Sequence, residues 1–319
     1  MTVLCNLSRD MVSIKNQVPM YFCIFSFNRG QLLKNCVSSI ELCVDKPNII
    51  VFDDNSTDRE TMAVLSEINE KHDVIVPKLD DQNAHKCGGL YNNMQLALDS
   101  MPEESLVCFV QDDTQFVRPI DQHDMDDIEH FFAHHQQSAF MQCAFLKGKA
   151  RNRVNGYTYF DNVSGAYLRQ DVKQSAGIYF SAVSIGHVGR LKAVDWTFKS
   201  REKDNNTQAK ALFGPMGFMK NPFLMYLPSA PAYRGKMKTL GHKLAEKKNN
   251  CGFHPFNLME DAQLAAFKAR NPSTLPFAED FLSLAFAELP KPWVTNPFQG
   301  TKILKALHKA ELVVRKKFG

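Results

Sequence analysis

The chain has 319 residues, of which 44% are hydrophobic and 23% are charged, a composition that excludes disordered, collagen-like and coiled-coil proteins. Its formal net charge of +4 is concentrated in residues 301–319, which hold six basic side chains and one acidic side chain. The rest of the chain is nearly neutral, which argues against a broad nucleic-acid-binding surface, so we expect no nucleic-acid partner. No apolar run approaches the roughly 18 residues that a membrane-spanning helix requires.

Residues 1–15 and the cysteines predict the cellular compartment. Residues 1–15 carry scattered charges and lack the apolar segment of a secretory signal. The eight cysteines form no C-x-x-C pair, and several lie inside apolar runs. Buried thiols in a reducing cytosol therefore fit better than a disulfide framework or a structural zinc site. We expect a cytoplasmic protein.

Residues 21–110 alternate between apolar runs and helical periodicity. The apolar runs predict strands over 21–25, 48–52, 73–76 and 106–110. Apolar residues three or four positions apart predict the helices between them: Leu33, Val37 and Ile40; Val64, Leu65 and Ile68; Leu90, Met94 and Leu98. Thr57 and Glu60 have capping-box spacing at the start of the second helix. Strand starts about 25 to 30 residues apart are typical of βαβ units with a parallel sheet.

Beyond residue 120 the pattern is less regular. It predicts a helix over 121–137, a strand over 178–188, a charged mobile loop over 199–210, a turn into an apolar run over 213–219, a loop over 249–258 and a helix over 260–270. No internal repeat or low-complexity linker divides the chain. We therefore predict one domain over 1–300, with halves of about 18–120 and 121–300, followed by a basic tail over 301–319.

Polar residues follow three of the predicted strands: Asn28-Arg29, Asp53-Asp54 and Asp112-Asp113. Because ligands of such sheets bind outside the carboxyl ends of the strands, these residues are expected to share one site. Two carboxylates at the end of a buried strand repel each other and lose hydration unless a cation joins them. Oxygen ligands favour Mg²⁺ or Mn²⁺, which would bridge the diphosphate of a nucleotide. The alternative for Asp112-Asp113 is a turn in which an aspartate caps a helix.

The remaining candidates also have structural explanations. The run 53–58 is explained equally well by helix capping and by a contact between one carboxylate and a nucleobase. Glu260 and Asp261 begin a predicted helix, where they either complement its positive end or provide a catalytic base. A solvated helix face is favoured over a metal site for four histidines: His123, His130, His134 and His135. The core is favoured over a cofactor pocket for three methionines: Met216, Met219 and Met225.

Several common site motifs are absent from the sequence. There is no G-x-x-x-x-G-K-[ST], which excludes a P-loop nucleoside triphosphatase. There is no G-x-G-x-x-G after the first strand, which disfavours a dinucleotide site, and no G-x-S-x-G nucleophile elbow. Carboxylates with a metal ion are thus the predicted means of binding phosphate.

The order of motifs along the chain resembles the family 2 glycosyltransferases. The residues that carry the resemblance are Phe27-Asn28-Arg29, then Val51 to Asp58, then Asn83, Gly88-Gly89 and Asn93, then Val110 to Asp113, then Gly214 to Phe218, then Gly252-Phe253 and Glu260-Asp261. They cover about 18–270, and the D-D-x-S-x-D run and the late E-D pair are the most specific. The resemblance implies a GT-A-like α/β fold, a Rossmann-type sandwich with a central, mostly parallel sheet flanked by helices.

The same resemblance implies an activity and its partners. It implies transfer of a sugar from a nucleotide-diphosphate donor to a hydroxyl of a glycan or lipid-linked acceptor, with inversion and with Mn²⁺ or Mg²⁺. The pathway would be synthesis of a surface polysaccharide or another glycan. Residues 140–250 correspond to the variable acceptor side of that family.

The resemblance also implies roles for individual residues. Asp53 would accept a hydrogen bond from the nucleobase, and Asp113 would be the metal ligand. Asp261, beside Glu260, would be the general base. Five further residues would line the nucleotide pocket: Phe25, Asn28, Arg29, Asp54 and Asp112. The sequence departs from the family pattern at Gln111, which replaces the first aspartate of the D-x-D motif, and in the segment 83–93, which is about two residues longer than usual.

Two other functions stay open on the sequence alone. A nucleotide-sugar-binding scaffold without activity is supported by Gln111, although Asp113 and Asp261 are present. A nucleotidyltransferase of similar fold would usually have a glycine-rich, basic first loop, whereas residues 25–30 contain one glycine and one arginine.

The basic tail has the pattern of an amphipathic helix. The apolar residues that recur at near-helical spacing are Ile303, Leu304, Leu307, Val314 and Phe318. The basic residues among them are Lys302, Lys305, Lys309, Arg315, Lys316 and Lys317. Such a helix can lie on an anionic membrane. The alternative is a helix that docks on the body with its lysines in water. The resemblance implies peripheral contact with the inner face of a membrane, because enzymes of this family often act on lipid-linked acceptors.

Overall fold

The structure is a computed structural model that describes residues 18–77, 89–170, 177–231, 238–286 and 288–318. The strands are β1 (Met20–Ser26), β2 (Asn48–Asp53), β3 (Asp73–Ile75), β4 (Leu106–Gln111), β5 (Thr114–Phe116), β6 (Phe140–Gln142), β7 (Thr158–Asp161), β8 (Ala166–Arg169), β9 (Ser184–His187), β10 (Gly217–Met219) and β11 (Leu224–Tyr226). The helices are α1 (Gly30–Cys43), α2 (Arg59–Ile68), α3 (Leu90–Ser100), α4 (Gln122–His134), α5 (Arg151–Tyr157), α6 (Val188–Lys192), α7 (Glu202–Leu212), α8 (Leu240–Lys248), α9 (Asp261–Ala269), α10 (Ala278–Phe281) and α11 (Lys302–Phe318).

Within the described residues, nine strands form one sheet in the order β3-β2-β1-β4-β9-β6-β10-β8-β7. The strands β3, β2, β1 and β4 are parallel, so their carboxyl ends lie at one edge. The strand β9 runs antiparallel to both β4 and β6. The strand β10 is parallel to β6 and antiparallel to β8, which pairs with β7 in the same sense. The strands β5 and β11 form a separate antiparallel pair.

Helices cover both faces of the parallel half of the sheet. Successive side chains of a strand point to opposite faces, so a strand that is buried on both faces is apolar throughout. In β1, Phe22 and Ile24 join a core formed with α1, α2 and α4. Cys23 and Phe25 of the same strand join a second core formed with α3. This sandwich fixes the loops that follow β1, β2 and β4.

The predicted α/β class, with a central sheet flanked by helices, is confirmed. The first four predicted strands correspond to β1–β4 and are parallel, and the predicted helices correspond to α1–α4 and α9. The turn before residue 217 and the loop over 249–258 are confirmed as well. The three methionines predicted to be in the core are buried. Five cysteines are buried free thiols, at positions 23, 36, 43, 108 and 143.

Two predicted element boundaries are wrong. The cap of α2 is Asp58 rather than Thr57, because Asp58 Oδ1 accepts a hydrogen bond from the backbone N–H of Thr61 at 2.9 Å. The strand predicted over 178–188 is present only as β9. Before β9 the chain turns, since the Ser184 hydroxyl donates to the Ser181 carbonyl at 2.8 Å. After it, α6 begins at Val188.

The prediction of a mobile loop over 199–210 is also wrong, because α7 begins at Glu202 and includes the rest of this segment. The buried Asn205 ties the helix to its entry segment: its amide accepts from the Lys199 N–H at 2.8 Å and donates to the Lys199 carbonyl at 2.7 Å. Glu202 and Asp204 lie in the first turn, where acidic side chains complement the positive end of the helix. Its narrow buried face, Asn205 and Ala209, explains why apolar periodicity did not reveal the helix.

The basic tail forms α11, which packs on α8. The backbones of the two helices approach so closely at Gly241 that a Cβ there would lie 2.7 Å from the backbone nitrogen of His308. The Thr239 hydroxyl lies 2.8 Å from His308 Nδ1, and the Leu240 N–H donates to Glu311 at 2.7 Å. The docked alternative for the tail is therefore formed, with part of its apolar surface exposed. None of the described helices is both long and apolar enough to cross a bilayer.

Candidate active site

A cleft of about 1120 Å³ opens at the carboxyl ends of β1 and β4. It continues across the sheet along Gln142 of β6, Phe218 of β10 and Arg169 of β8, and α5 and α7 contribute to its walls. We call the end at β1 and β4 the carboxylate end and the end at Arg169 the arginine end. A smaller concavity of about 660 Å³ lies beside α5, where the charges of Arg151 and Asp280 are paired with each other.

Asn28 and Asp53 build the loops of the carboxylate end, and neither is among the described residues that line the cleft. Asn28 has a φ of 49°, a left-handed conformation that asparagine tolerates well. Its side-chain oxygen accepts from the N–H groups of Thr57 and Asp58 at 2.8 and 3.1 Å. Asp53 is 1% exposed, and its two oxygens accept from the N–H and hydroxyl of Ser56, each at 2.6 Å. In this structure both side chains hold the loops, and their predicted nucleotide contacts stay predictions.

Asp54 lines the cleft from the next position in the chain. Its Oδ2 accepts a hydrogen bond from the Gly89 N–H at 2.6 Å, at the start of α3. A Cβ at Gly89 would lie 1.9 Å from Asp54 Oδ1, so this approach requires glycine. The contact connects the loop after β2 to α3. The other part of that predicted motif, residues 83–88, lies outside the described residues.

Arg29 joins the two carboxylates that follow β4. Its Nη1 lies 3.0 Å from Asp112 Oδ1 and 3.0 Å from Asp113 Oδ2. Burial raises the pKa of Asp112 to about 6, and the Arg29 charge opposes that rise. The pKa of Arg29 is raised, chiefly by the charge of Asp112. A guanidinium therefore already supplies positive charge to this pair, and the divalent ion that the sequence predicts there stays a prediction.

One carboxylate oxygen of this pair is left for a further cation. Asp113 Oδ1 is buried and has no hydrogen-bond partner within the part of the chain that the structure describes. Among the described residues, no group of three or more histidine, cysteine and acidic side chains could hold a metal ion. Mg²⁺ is commonly held by one or two carboxylates together with substrate phosphates. The residues therefore fit a divalent ion that is bound together with a diphosphate.

Phe25 and Tyr91 supply the aromatic wall of the carboxylate end. Phe25 packs against Phe52 and Phe109 with ring centroids 5.8 and 6.2 Å apart. Tyr91, on α3, stacks on Phe198 at 6.4 Å. Phe25 thus lies in the cleft as predicted, whereas Tyr91 carried no signal in the sequence beyond its place on a predicted helix.

Glu260 and Asp261 lie at the start of α9, outside the described lining of the cleft. Both are exposed, and Glu260 is the N-cap residue without a side-chain capping hydrogen bond. The helix is anchored by Phe267, whose ring stacks on Phe145 at 5.2 Å. The arrangement is that of acidic residues in the first turn of a surface helix, which is the structural explanation that the sequence left open.

Sequence reasoning missed three cleft residues near Asp113. Lys147 places its ammonium 4.0 Å from the ring centroid of Tyr226. Burial by the cleft walls lowers the pKa of Lys147, although part of its surface is open to the cleft. The negative charges of Asp113 and Glu202 oppose this shift. The same two carboxylates add to the effect of burial in raising the pKa of Tyr226. Glu202 therefore lines the same cleft as Asp113 and acts on the same two side chains, and the acidic first turn of α7 is the signal that could have revealed it.

Sequence reasoning also missed the two arginines at the other end of the cleft, Arg153 of α5 and Arg169 of β8, which we call the arginine pair. The Arg169 guanidinium lies 3.7 Å from the Phe218 ring centroid and 5.6 Å from that of Tyr157. Tyr157 lies on the same helix as Arg153, but Phe218 comes from a distant part of the chain, so no local motif contains the whole arrangement.

The histidine cluster does not form part of the cleft. The rings of His130 and His134 are 4.0 Å apart on the exposed face of α4, and His130 Nε2 lies 2.8 Å from the Val163 carbonyl. His135 Nε2 lies 3.1 Å from Asp161. The solvated helix face favoured by the sequence is confirmed for His130 and His134.

No protein-family model and no curated protein matches the chain. Among solved structures, residues 1–349 of S. aureus TarS are 16% identical, over 78% of this chain and 70% of that one, with a TM-score of 0.44. The same segment in complex with UDP gives 16% identity, 79% and 70% coverage, and a TM-score of 0.43. The mannosyltransferase PcManGT from Pyrobaculum calidifontis, in complex with GDP-Man and Mn²⁺, is 11% identical over 96% of this chain and 77% of that one, with a TM-score of 0.45. Similarity at this level carries no inference about activity, which depends on the residues of the cleft.

Proposed function

We propose that this protein transfers a sugar from a nucleoside-diphosphate donor to a hydroxyl group of a glycan or lipid-linked acceptor, with inversion. The proposal depends most on the Asp112–Asp113 pair, which lines the cleft and leaves one buried carboxylate oxygen without a partner among the described residues. Open α/β sheets bind ligands at this edge. A divalent ion that binds a diphosphate would take such an oxygen as one of its ligands.

The charges of the carboxylate end suit a diphosphate leaving group. Asp113 would hold Mn²⁺ or Mg²⁺, which would offset negative charge on the diphosphate. The chain itself adds positive charge through Arg29, which lies 3.0 Å from Asp113, and through Lys147, whose charge interacts with that of Asp113. Fixed cations of this kind stabilise charge that develops as the bond between sugar and diphosphate breaks.

We assign the general base to Glu202 in preference to Asp261. A general base must lie within hydrogen-bond reach of the proton that it accepts. Glu202 lines the same cleft as Asp113, and the charges of both act on Lys147, whereas Asp261 lies outside the described lining. Glu202 would take the acceptor hydroxyl proton as that oxygen bonds to the anomeric carbon. The diphosphate would leave from the opposite face with the electron pair of the broken bond, which inverts the configuration.

Ligand-induced thermal shift tests the proposal on the full chain. We expect a set of nucleoside diphosphates and nucleotide sugars to contain ligands that raise the melting temperature with Mn²⁺ and much less with a chelator. Asp113→Asn should lose the Mn²⁺-dependent part of the shift. Because the variant also loses its ion pair with Arg29, each shift is measured from the variant's own melting temperature without ligand. Equal shifts for wild type and variant, or wild-type turnover in excess chelator, would contradict the metal assignment.

Transfer assays separate the alternatives that the sequence left open. Release of free nucleoside diphosphate with formation of a glycoside supports the proposal. Binding of the nucleotide without transfer to any hydroxyl acceptor would support a scaffold, which Gln111 favours by its lack of charge. Release of pyrophosphate from a nucleoside triphosphate would identify a nucleotidyltransferase.

A further inference from the structure

The arginine end of the cleft contains positive charge that no carboxylate among the described residues balances. Arg169 makes one long hydrogen bond, from Nη1 to the Gly177 carbonyl at 3.4 Å, and its buried Nε has no partner within the described residues. Arg153 is exposed to the cleft and forms no ion pair in the part of the chain that the structure describes. Arg169 is held instead by the faces of two aromatic rings.

The two arginines are close enough to repel each other. Burial lowers the pKa of Arg169 to about 10, and the charge of Arg153 contributes to that shift. Arg169 nevertheless keeps its charge at neutral pH. Two like charges that share a partly desolvated wall are unfavourable until an anion joins them. A planar guanidinium with a free donor edge binds phosphate or carboxylate through paired hydrogen bonds.

An anion bound at this end would lie too far along the sheet from Asp113 to be the donor diphosphate. The strand β8, which carries Arg169, is four strands away from β4 in the sheet. At about 4.8 Å between neighbouring strands, the two strands are roughly 19 Å apart. Lys147 and Glu202 line the cleft as well, and the charges of Glu202 and Asp113 both act on Lys147. An anion bound by the arginine pair therefore belongs to a second ligand.

We propose that the acceptor is acidic and that the arginine pair, Arg153 and Arg169, binds its phosphate or carboxylate group. Identifying the bound acid as the acceptor rests on the proposed sugar transfer. The anion site itself rests on the two arginines alone. The hydroxyl to be glycosylated would lie toward Glu202 and the acidic group toward Arg169, so the pair would select the acceptor and set its direction in the cleft.

Calorimetric titration of the full chain with simple hydroxyl compounds tests the site without any need for activity. The probes are glucose 6-phosphate, glucuronate and glucose, which share a hydroxyl-bearing ring and differ in charge. We expect at least one of the two acids to bind at least about tenfold more tightly than glucose, since tenfold corresponds to about 1.4 kcal/mol and one charge-assisted hydrogen bond contributes about that much. The relative affinities of the two acids distinguish phosphate from carboxylate.

Variants identify the residues responsible. Arg153→Ala and Arg169→Lys should each reduce the preference for the acid, the second because lysine keeps the charge but loses the planar donor pair. Arg151→Ala is the matched control, since it removes the same charge from the same helix outside this cleft, where Arg151 pairs with Asp280 at 2.7 Å. Equal binding of glucose and both acids by the wild type, or an unchanged preference in Arg153→Ala and Arg169→Lys, would overturn the proposal.

Competition separates this proposal from the proposed transfer activity. Glucose 6-phosphate and UDP with Mn²⁺ should bind together, because they occupy opposite ends of the cleft. If UDP displaces glucose 6-phosphate, the arginine pair belongs to the donor site and the acidic-acceptor proposal fails. If no nucleoside diphosphate binds while the acid still binds through Arg153, the transfer proposal fails and the anion site stands.

Discussion

The two ends of the cleft hold charge in opposite ways. At the carboxylate end, Arg29 lies 3.0 Å from both Asp112 and Asp113, so each charge has a partner in the protein itself. At the arginine end, Arg169 rests on aromatic rings, and no carboxylate pairs with it or with Arg153 among the described residues. A charge that is already paired contributes to the stability of the fold, whereas a charge held only by aromatic faces is available to a ligand.

The construction of the two ends differs as well. The carboxylate end is made of short loops that are fixed by side-chain-to-backbone hydrogen bonds, such as those of Asn28 and Asp54. The arginine end and the wall near Glu202 are made of side chains on helices and a strand, which reach into the cleft from α5, α7 and β8. We therefore expect substitutions at the first end to change stability and donor binding together, and substitutions at the second to change acceptor use with little effect on stability.

The largest expected effect is on turnover, at the wall between the two ends. Glu202→Gln should lower the transfer rate at least about 10²-fold, the low end for general base catalysis, while donor affinity stays nearly unchanged. Asp261→Asn should leave turnover close to that of the wild type, because Asp261 lies outside the described lining of the cleft. Single-turnover rates and donor affinities of both variants provide the measurement.

The reverse result would return the base to the residue that the sequence favoured. A large rate loss in Asp261→Asn with normal donor affinity, combined with a normal rate in Glu202→Gln, would contradict the assignment to Glu202. It would also require α9 to approach the cleft when substrates are bound.

The second effect concerns stability at the carboxylate end. Arg29→Met leaves Asp112 and Asp113 without a cation, and removal of one partner of a buried ion pair typically costs about 3–5 kcal/mol. Asp113 is 22% exposed, so we expect a loss near the low end of that range, about 3 kcal/mol. Urea unfolding measures the change. Arg153→Met removes an arginine that has no ion pair among the described residues, and it should stay within about 0.5 kcal/mol of the wild type.

Metal binding sharpens that experiment. If Asp113 is a metal ligand, Mn²⁺ replaces the missing guanidinium and should stabilise Arg29→Met more than the wild type. Equal stability of Arg29→Met and the wild type without metal would show that the paired charges do not support the fold.

The fold of the first half was predictable because its signals are local. The strands β1, β2 and β4 are apolar runs buried on both faces, and the helices between them have clear apolar periodicity. The helix α7 was missed because its buried face is narrow and its anchor, Asn205, is polar. Local apolar patterns therefore predicted the sandwich but not the wall that carries Glu202.

The site was predictable only in part, for a related reason. The position of the carboxylates at strand ends follows from the βαβ rhythm, and Phe25, Arg29, Asp54, Asp112 and Asp113 line the cleft. The roles of Asn28 and Asp53 depend on which atoms their neighbours satisfy, which composition does not reveal. The arginine pair depends on strand register, because pairing of β8 with β10 brings Arg169 onto Phe218.

A third, smaller effect tests how closely the carboxylate end is built. Gly89→Ala places a methyl group 1.9 Å from the present position of Asp54 Oδ1, so the carboxylate must move and its 2.6 Å hydrogen bond is lost. Overpacking typically costs about 1–3 kcal/mol, and donor affinity should fall as well because Asp54 lines the cleft. Thermal shift with and without the nucleotide measures both effects.

A double-mutant cycle shows whether Asp54 is the cause. Gly89→Ala combined with Asp54→Ala should be less destabilised than the sum of the single variants, because the clashing atoms are gone. Strict additivity would show that the glycine is required for another reason.

The smallest expected effect concerns a third set of cations, the lysines of α11. Lys302, Lys305 and Lys309 are exposed and pair with no acidic side chain in the described part of the chain, so their replacement by glutamine should change the free energy of unfolding by less than about 0.5 kcal/mol each. If the tail also contacts an anionic membrane, the alternative that its sequence left open, the triple variant should bind anionic liposomes more weakly by about 1 kcal/mol per lysine. Unchanged liposome binding would leave docking on α8 as the role of the helix. A marked loss of stability would instead show that these lysines stabilise the fold, as we expect of Arg29 and not of the arginine pair.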